Sequence, residues 1–357
     1  VQTALFALSI GSPGIEVLWN TLAAELASVG SALAWRTGAA ALLLAPALLW
    51  WAARLGWLDP RPGSALARKT QVPAAPVGGL AMALALAFGL SLSSAEAPAR
   101  LAAHGLGPEG ARWLMASLEF PPLLASLSLL LALALGCLDD LWREGLGPLA
   151  KLGGQAVAAL PWTILASETG YLGFEGSAAA LLAGGAALAA MNLVNTWDNS
   201  DGAALSLGAV AGLAIGSPAL LGASLGLLPW NLRRPARPGP LPQLYLGDGG
   251  SHLLGMALAI EPAGLFVLIV PALDLLRLSI ERPLRGSRPW IGDRRHLAHL
   301  LAQRGWPRPL VLLSLVVVLL PSVSFWFLPL GPLLYLGLWL PSAFAREGRP
   351  AAKGRPE

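Results

Sequence analysis

Charge is scarce in this chain of 357 residues: Asp, Glu, Lys and Arg make up only 12% of it, about half the share usual in a soluble domain. Beside 55% apolar residues, that scarcity excludes an ordinary water-soluble globule. Cysteine occurs once, at Cys137, so neither an internal disulfide nor a multi-cysteine metal site can form. Cys137 reads as a small buried residue. No Glu sits between paired histidines, as a zinc protease requires. No basic patch carries interleaved aromatics, which excludes nucleic acid as a partner. Residues 1–37 lack the basic segment that opens a signal peptide and are interrupted by Gly, Pro, Asn and Glu. They are expected to form an external arm or a partly inserted helix. Internal repeats are also lacking.

What the chain has instead is long apolar runs. A helix needs about 20 mostly apolar residues to cross a hydrocarbon layer roughly 30 Å thick. Windows of this kind fall near 38–58, 78–95, 121–138, 152–167, 177–193, 202–216, 217–230, 248–260, 262–281, 309–323 and 325–345. The expected fold is therefore all-α: a polytopic integral membrane protein of about 10 to 11 transmembrane helices. A membrane domain over 38–345 is followed by a basic tail over 346–357. Lys and Arg collect on the cytoplasmic side of membrane helices. With alternating spans, all of the 24 Lys and Arg except Arg36, Arg100 and Arg112 fall on one side; this reading counts Arg277 as a loop charge. That predicts an outside amino terminus, a cytoplasmic tail, and basic loops lying against anionic headgroups. Trp50, Trp51, Trp57, Trp230 and Trp326, near span ends, read as interfacial anchors.

Polar residues concentrate in the loops of the cytoplasmic side. "GCLDDLWREGLGPLAKLGGQ" ends one span with Asp139 and Asp140 and opens the next with Lys151 and Gln155, which are four apart and share a helix face. "MNLVNTWDNSDGAA" sets Asn192, Asn195, Asn199 and Gly202 on one stripe if the segment is helical, with Asp198 and Asp201 beside it. A polar stripe at membrane depth is costly unless it lines a wet cavity, so it marks a functional site. "YLGDGGSHLLG" places Asp248 in a Gly-rich turn whose amides can meet phosphate oxygens. "GDRRHLAHLL" supplies Asp293, Arg294, Arg295, His296 and His299. Hard carboxylate oxygens favour Mg2+ or Mn2+, and Mg2+ usually bridges substrate phosphates. Arg and Lys nearby would hold those phosphates. The residues thus point to phosphoryl-type transfer at a membrane surface, with a lipid phosphate as one candidate substrate.

From about Leu58 to Leu301 the chain resembles the polyprenyl-phosphate N-acetylhexosamine-1-phosphate transferases. The likeness rests on "GCLDDLWREGLGPLAKLGGQ", "NLVNTWDNSDGAA", "LPWNLRRPARPGPLPQLYLGDGGSHLLG" and "PALDLLRLSIERPLRGSRPWIGDRRHLAHLL", in that order. The resemblance implies transfer of a sugar 1-phosphate from a UDP-N-acetylhexosamine to undecaprenyl phosphate on the inner face of a bacterial cytoplasmic membrane, with Mg2+ and release of UMP. It implies catalytic and metal-binding roles for Asp139, Asp140 and Asp248, either of the first two orienting or deprotonating the nucleophile. Lys151 would meet a phosphate. Asn192, Asn195, Asp198 and Asp201 would line the nucleotide pocket, and Arg294, His296 and His299 would lie near the donor diphosphate. The lipid bilayer is the expected surrounding and a homodimer the expected assembly, if there is one.

Three departures from the family pattern stand out. Ala75 and Pro76 occupy positions where a polar or basic donor contact is usual, with Lys69 as a substitute. Ala298 stands where another His is common, and Arg233 to Pro242 is a longer connection. The consecutive histidines and Thr-Pro-Thr-type loop of the phospho-N-acetylmuramoyl-pentapeptide transferases are missing, so the N-acetylglucosamine-1-phosphate branch fits better, with the muramoyl branch or a catalytically silent homologue as alternatives. A secondary transporter would hold its polar residues near the midplane in broken helices. A CDP-alcohol phosphotransferase needs an Arg that "DGAALS" lacks, and a prenyl synthase a third Asp that "DDLWR" lacks.

Overall fold

The computed structural model describes residues 13–58, 74–89, 123–142, 145–233, 241–284, 286 and 295–347, with side chains placed between residues 31 and 341. Almost all of this is helix. α1 runs Pro13–Arg54, α2 Gly78–Gly89, α3 Leu123–Leu141, α4 Pro148–Thr169 and α5 Gly176–Trp197. α6 is Ala203–Ala214, α7 Pro218–Leu232, α8 Gly247–Ile260, α9 Pro262–Val267 and α10 Ile269–Leu284. α11 is Leu297–Gln303, α12 Arg308–Leu319 and α13 Leu330–Glu347, the last two joined through short 3-10 turns. Two residues of β1, Ala74–Ala75, pair in parallel with β2, Gln243–Leu244.

The interior is built of alanine and the exterior of larger apolar side chains, the reverse of a soluble protein. Ala179, Ala183, Ala187 and Ala190 of α5 are fully buried, while Leu123, Leu130, Val157 and Leu181 are 61–84% exposed. Small residues every three or four positions let helix axes approach closely where lipid removes the hydrophobic drive to associate, and an exposed apolar belt of this extent requires lipid around it. Three helical segments, Ser31–Arg54, Leu123–Leu141 and Gly176–Trp197, are each long and apolar enough to cross a bilayer. These spans and the exposed apolar belt make this a polytopic membrane protein.

Four helices form a closed ring: α3 packs on α4, α4 on α5, α5 on α8 and α8 back on α3. Against it stands a second group in which α7 packs on both α1 and α6. At 1.5 Å per residue the 12 residues of α6 span about 18 Å, so this element alone is shorter than the hydrocarbon layer. At one end of the ring Tyr171, between α4 and α5, donates its hydroxyl to the Ala259 carbonyl at 2.6 Å. The opposite end gathers the described parts of the connections that follow α1, α3, α5 and α7, as alternation of spans predicts for a single face.

α1 runs through residues 37 and 38 as one helix. Two expectations change. The expected span 262–281 is two helices meeting at Leu268; Pro271 has no N–H to give the Val267 carbonyl, so the ladder breaks there. Arg277 is not a loop charge but a buried residue of α10.

Candidate functional site

Each helix of the ring brings polar side chains to the gathered end: α3 and α5 by their last turns, α4 and α8 by their first. Asp139 and Asp140 are adjacent on α3, and neighbours on a helix point about 100° apart. Their partners differ accordingly. Asp139 accepts from the Leu146 amide and from Lys151 Nζ at 2.9 Å. Asp140 accepts the amides of Asp248 and Gly249, both at 3.0 Å, and so caps the start of α8.

Lys151 reaches from the first turn of α4 to a second carboxylate, Asp248, whose other oxygen accepts from Asn195 Nδ2. The carboxylates of Asp139 and Asp248 are bridged by the Lys151 ammonium. Below this cluster, deeper in the ring, Asn192 donates to Gln155 Oε1 at 2.8 Å, and Gln155 Nε2 meets His252 Nε2 at 2.9 Å. Lys151 and Gln155 do share the inward face that their spacing predicts.

Two glycines make these approaches possible. A Cβ on Gly136 would stand 2.2 Å from the carbonyl oxygen of Asp248, so α3 and α8 touch backbone to backbone at the site. Gly247 has φ +73°, and a Cβ there would lie 2.6 Å from Asp140 Oδ2; the turn into α8 requires glycine for both reasons. From the far side, the parallel ladder pairs Ala75 with Leu244, and the amides of Gly78 and Gly79 continue onto the carbonyls of Tyr245 and Leu246 at 2.9 and 3.0 Å. Ala75 and Pro76, the departures noted in the sequence, are therefore part of the clamp that fixes the Asp248 turn.

The expected polar stripe is helical only to Trp197. A turn follows, so Asn199 and Gly202 leave the face of Asn192 and Asn195; Asn199 Nδ2 bonds the Thr196 carbonyl at 3.0 Å. Gly202, at φ +80°, opens α6 and gives its amide to Asn231 Oδ1. Asp201 accepts from Gln243 Nε2 at 3.1 Å, and Asn231 Nδ2 donates to the Leu244 carbonyl at 2.9 Å. The turn after α5 and the strand before α8 are thus one polar unit. Asp198 lies just past the end of α5, and burial, with Asp248 and Asp201 nearby, pushes its carboxyl up to about 7.

His296 and His299 flank the start of α11 with ring centroids 6.3 Å apart. Between them Leu297 and Ala298 share a small cleft with Trp197, Asn199 and Leu315, which puts the histidine segment against the turn after α5. Lys69, Asp293, Arg294 and most of the Arg233 to Pro242 connection lie outside the described residues. Nothing local in the sequence marks Ser251, Asn231 or Gln243 as members of this polar network. His252 alone had a signal, since it stands four residues after Asp248 and so on the same helical face.

As a place for Mg2+, the donor set suits the ion. Mg2+ is usually held by one or two carboxylates, with water and substrate phosphates completing its shell, and Asp139 and Asp248 supply two converging carboxylates. Among the described residues no group of three His, Cys, Asp or Glu has metal-holding geometry, and both oxygens of Asp140 accept backbone amides.

A bilayer-embedded helical ring with paired carboxylates and a lysine at one end defines a class: membrane proteins whose polar chemistry is done at the lipid surface. Residues 122–262, which contain the whole ring, match the model of glycosyl transferase family 4. The chain is similar to the decaprenyl-phosphate N-acetylglucosaminephosphotransferase of Mycolicibacterium smegmatis, 28% identical over 290 residues, covering 65% of this chain and 66% of that protein. It is also similar to the undecaprenyl-phosphate alpha-N-acetylglucosaminyl 1-phosphate transferases of Escherichia coli, 26% identical over 163 residues (38% of this chain, 44% of the relative), and Yersinia pestis, 26% over 191 residues (46% and 50%). The matches thus span just under two thirds of the first relative and about half or less of the other two.

Proposed function

We propose that this protein transfers N-acetylglucosamine 1-phosphate from UDP-N-acetylglucosamine to a polyprenyl phosphate at the cytoplasmic face of a bacterial inner membrane, releasing UMP and initiating a cell-envelope glycan. The observation that carries this reading is the cluster of Asp139, Lys151, Asp248 and Asn195, one residue from each helix of the ring, inside the stretch matched to the family. An oxygen of the lipid phosphate attacks the sugar-bearing phosphorus of the donor. The bond from that phosphorus to the bridging oxygen breaks, and the bridging oxygen leaves on UMP.

Within this reaction Asp139 and Asp248 would hold Mg2+, or Mn2+, which when bound neutralises phosphate charge and polarises the phosphorus under attack. Lys151, released from the two carboxylates, turns its ammonium to the phosphates. Asp139 takes the proton when the lipid phosphate arrives protonated. Asp140 keeps its cap on α8 and so holds Asp248 in place. Asp198, Asp201 and Asn192 border the nucleotide, and the histidine segment borders the diphosphate. An acceptor of decaprenyl length is a second reading, favoured by the likeness to the decaprenyl-phosphate enzyme of Mycolicibacterium smegmatis.

The test is incubation of the purified chain with Mg2+, undecaprenyl or decaprenyl phosphate, and a panel of UDP-sugars, scored by UMP release. UDP-N-acetylglucosamine should support lipid-linked product and the UDP-muramoyl pentapeptide should not. Preferential use of the pentapeptide would move the chain to the muramoyl branch; turnover of no donor would remove the transferase reading.

A further inference from the structure

A second buried polar cluster lies away from the carboxylates and lysine. It ties α10, the segment before α11, and α13. Asp274, 1% exposed, accepts through Oδ1 from Tyr335 Oη at 2.8 Å, Arg277 Nη2 at 2.9 Å and the Leu297 amide at 3.3 Å. Its Oδ2 meets His296 Nδ1 at 2.6 Å. Arg277 also donates to Tyr335 Oη and Glu281 Oε1, both at 2.8 Å, and to the Arg295 carbonyl at 2.7 Å. Its guanidinium stacks over Trp339 of α13.

Stability alone is a weak reason for such a cluster, because the cost of desolvating buried charges roughly cancels their attraction. What it supplies is direction. Three donors saturate Oδ1 and stop the carboxylate from rotating, so Oδ2 stays on the imidazole. A carboxylate acceptor keeps the ring proton on Nδ1 and leaves Nε2 for a ligand, as the carboxylates behind metal-bound or catalytic histidines do. The Leu297 and Arg295 backbone bonds fix the chain on both sides of the ring.

We propose that Asp274 is a positioning residue for His296: held by Arg277 and Tyr335, it sets the imidazole's tautomer and angle so that Nε2 meets the diphosphate of the sugar-nucleotide donor. This rests on the transferase reading above. Tyr335 makes the last membrane helix a part of that alignment.

The test compares the full chain with Asp274→Asn, His296→Ala and the double variant, reading UMP release, melting temperature, and the ring-nitrogen signals of His296 in protein carrying 15N-histidine. Asp274→Asn should lower kcat/KM by about 10- to 100-fold, the usual effect of losing such a partner, and should remove the Nδ1-protonated signal of His296. In the His296→Ala background the same substitution should cost less than about threefold, because a positioning residue has nothing left to position. Multiplying losses in the double variant, or an unchanged tautomer in Asp274→Asn, would overturn the proposal while wild-type turnover kept the transferase reading intact. A wild-type protein that releases no UMP from any donor would remove that reading and the donor role of His296 with it.

Discussion

Asp140 holds Asp248 by its backbone while Asp139, one residue earlier, faces Asp248 by its side chain. The 3.0 Å bonds from Asp140 to the amides of Asp248 and Gly249 fix the turn; Lys151 bridges the carboxylates of Asp139 and Asp248. Two identical neighbours therefore engage Asp248 differently, one through its backbone and one through a shared lysine.

Substitution should separate them. Asp139→Asn and Asp248→Asn should each lower turnover by at least about 100-fold, a few kcal/mol of barrier, with little loss of melting temperature. Asp140→Asn can accept through only one oxygen, so it should lower the melting temperature as well, by about 0.5–2 kcal/mol of stability. UMP release and thermal unfolding in the same detergent check both. Unchanged turnover in Asp139→Asn and Asp248→Asn would remove the carboxylates from the chemistry.

The backbone contact between α3 and α8 makes Gly136 a sensitive position. A methyl group 2.2 Å from the Asp248 carbonyl must push the helices apart, costing about 1–3 kcal/mol as overpacking does and misplacing Asp248 by enough to lose tenfold or more in turnover. Gly153→Ala on α4, where a Cβ meets nothing within 4 Å, is the control and should be neutral or slightly stabilising. Equal behaviour of the two variants would refute the close approach.

Asp198 predicts a pH effect. Its carboxyl titrates near 7 in the fold and near 3.9 in an unfolded chain. Between those values the folded protein keeps a proton that the unfolded chain has lost, so stability falls as pH rises from about 4 to 7 and then levels, by at most about 4 kcal/mol. Asp198→Asn removes the titration. In EDTA its melting temperature should exceed that of the wild type at pH 8, with the gap closing towards pH 4. A gap independent of pH would show that Asp198 titrates normally.

Orientation follows from the basic loops. In a Cys137→Ala background, single cysteines at Ser64 and Ser287 should resist an impermeant thiol reagent in intact cells, and those at Ser94 and Ser177 should react. Reaction at Ser287 from outside would place the site on the other face of the membrane.

The membrane setting and most helices were legible without tertiary information, because apolar runs of fixed length and the sidedness of Lys and Arg are local signals. The expected windows over 121–138, 152–167 and 177–193 lie within or almost within α3, α4 and α5. The sequence also marked Asp139, Lys151, Asn192, Asn195 and Asp248, since polar side chains beside apolar helices cost too much to lack a use. Tertiary structure decided what spacing cannot encode. The 3.6-residue period predicted one stripe through Gly202, but the turn after Trp197 serves bonds to Asn231 and Gln243, which are 29 and 42 residues from their partners Gly202 and Asp201. Arg277 looked like a loop charge because nothing in its neighbourhood announces Tyr335, 58 residues on, or the carbonyl of Arg295. The different fates of Asp139 and Asp140 depend on where α8 begins against α3, a contact across more than 100 residues. Local hydropathy fixes which segments enter the bilayer; which polar groups meet there depends on how the helices pack, and small buried residues settle that packing.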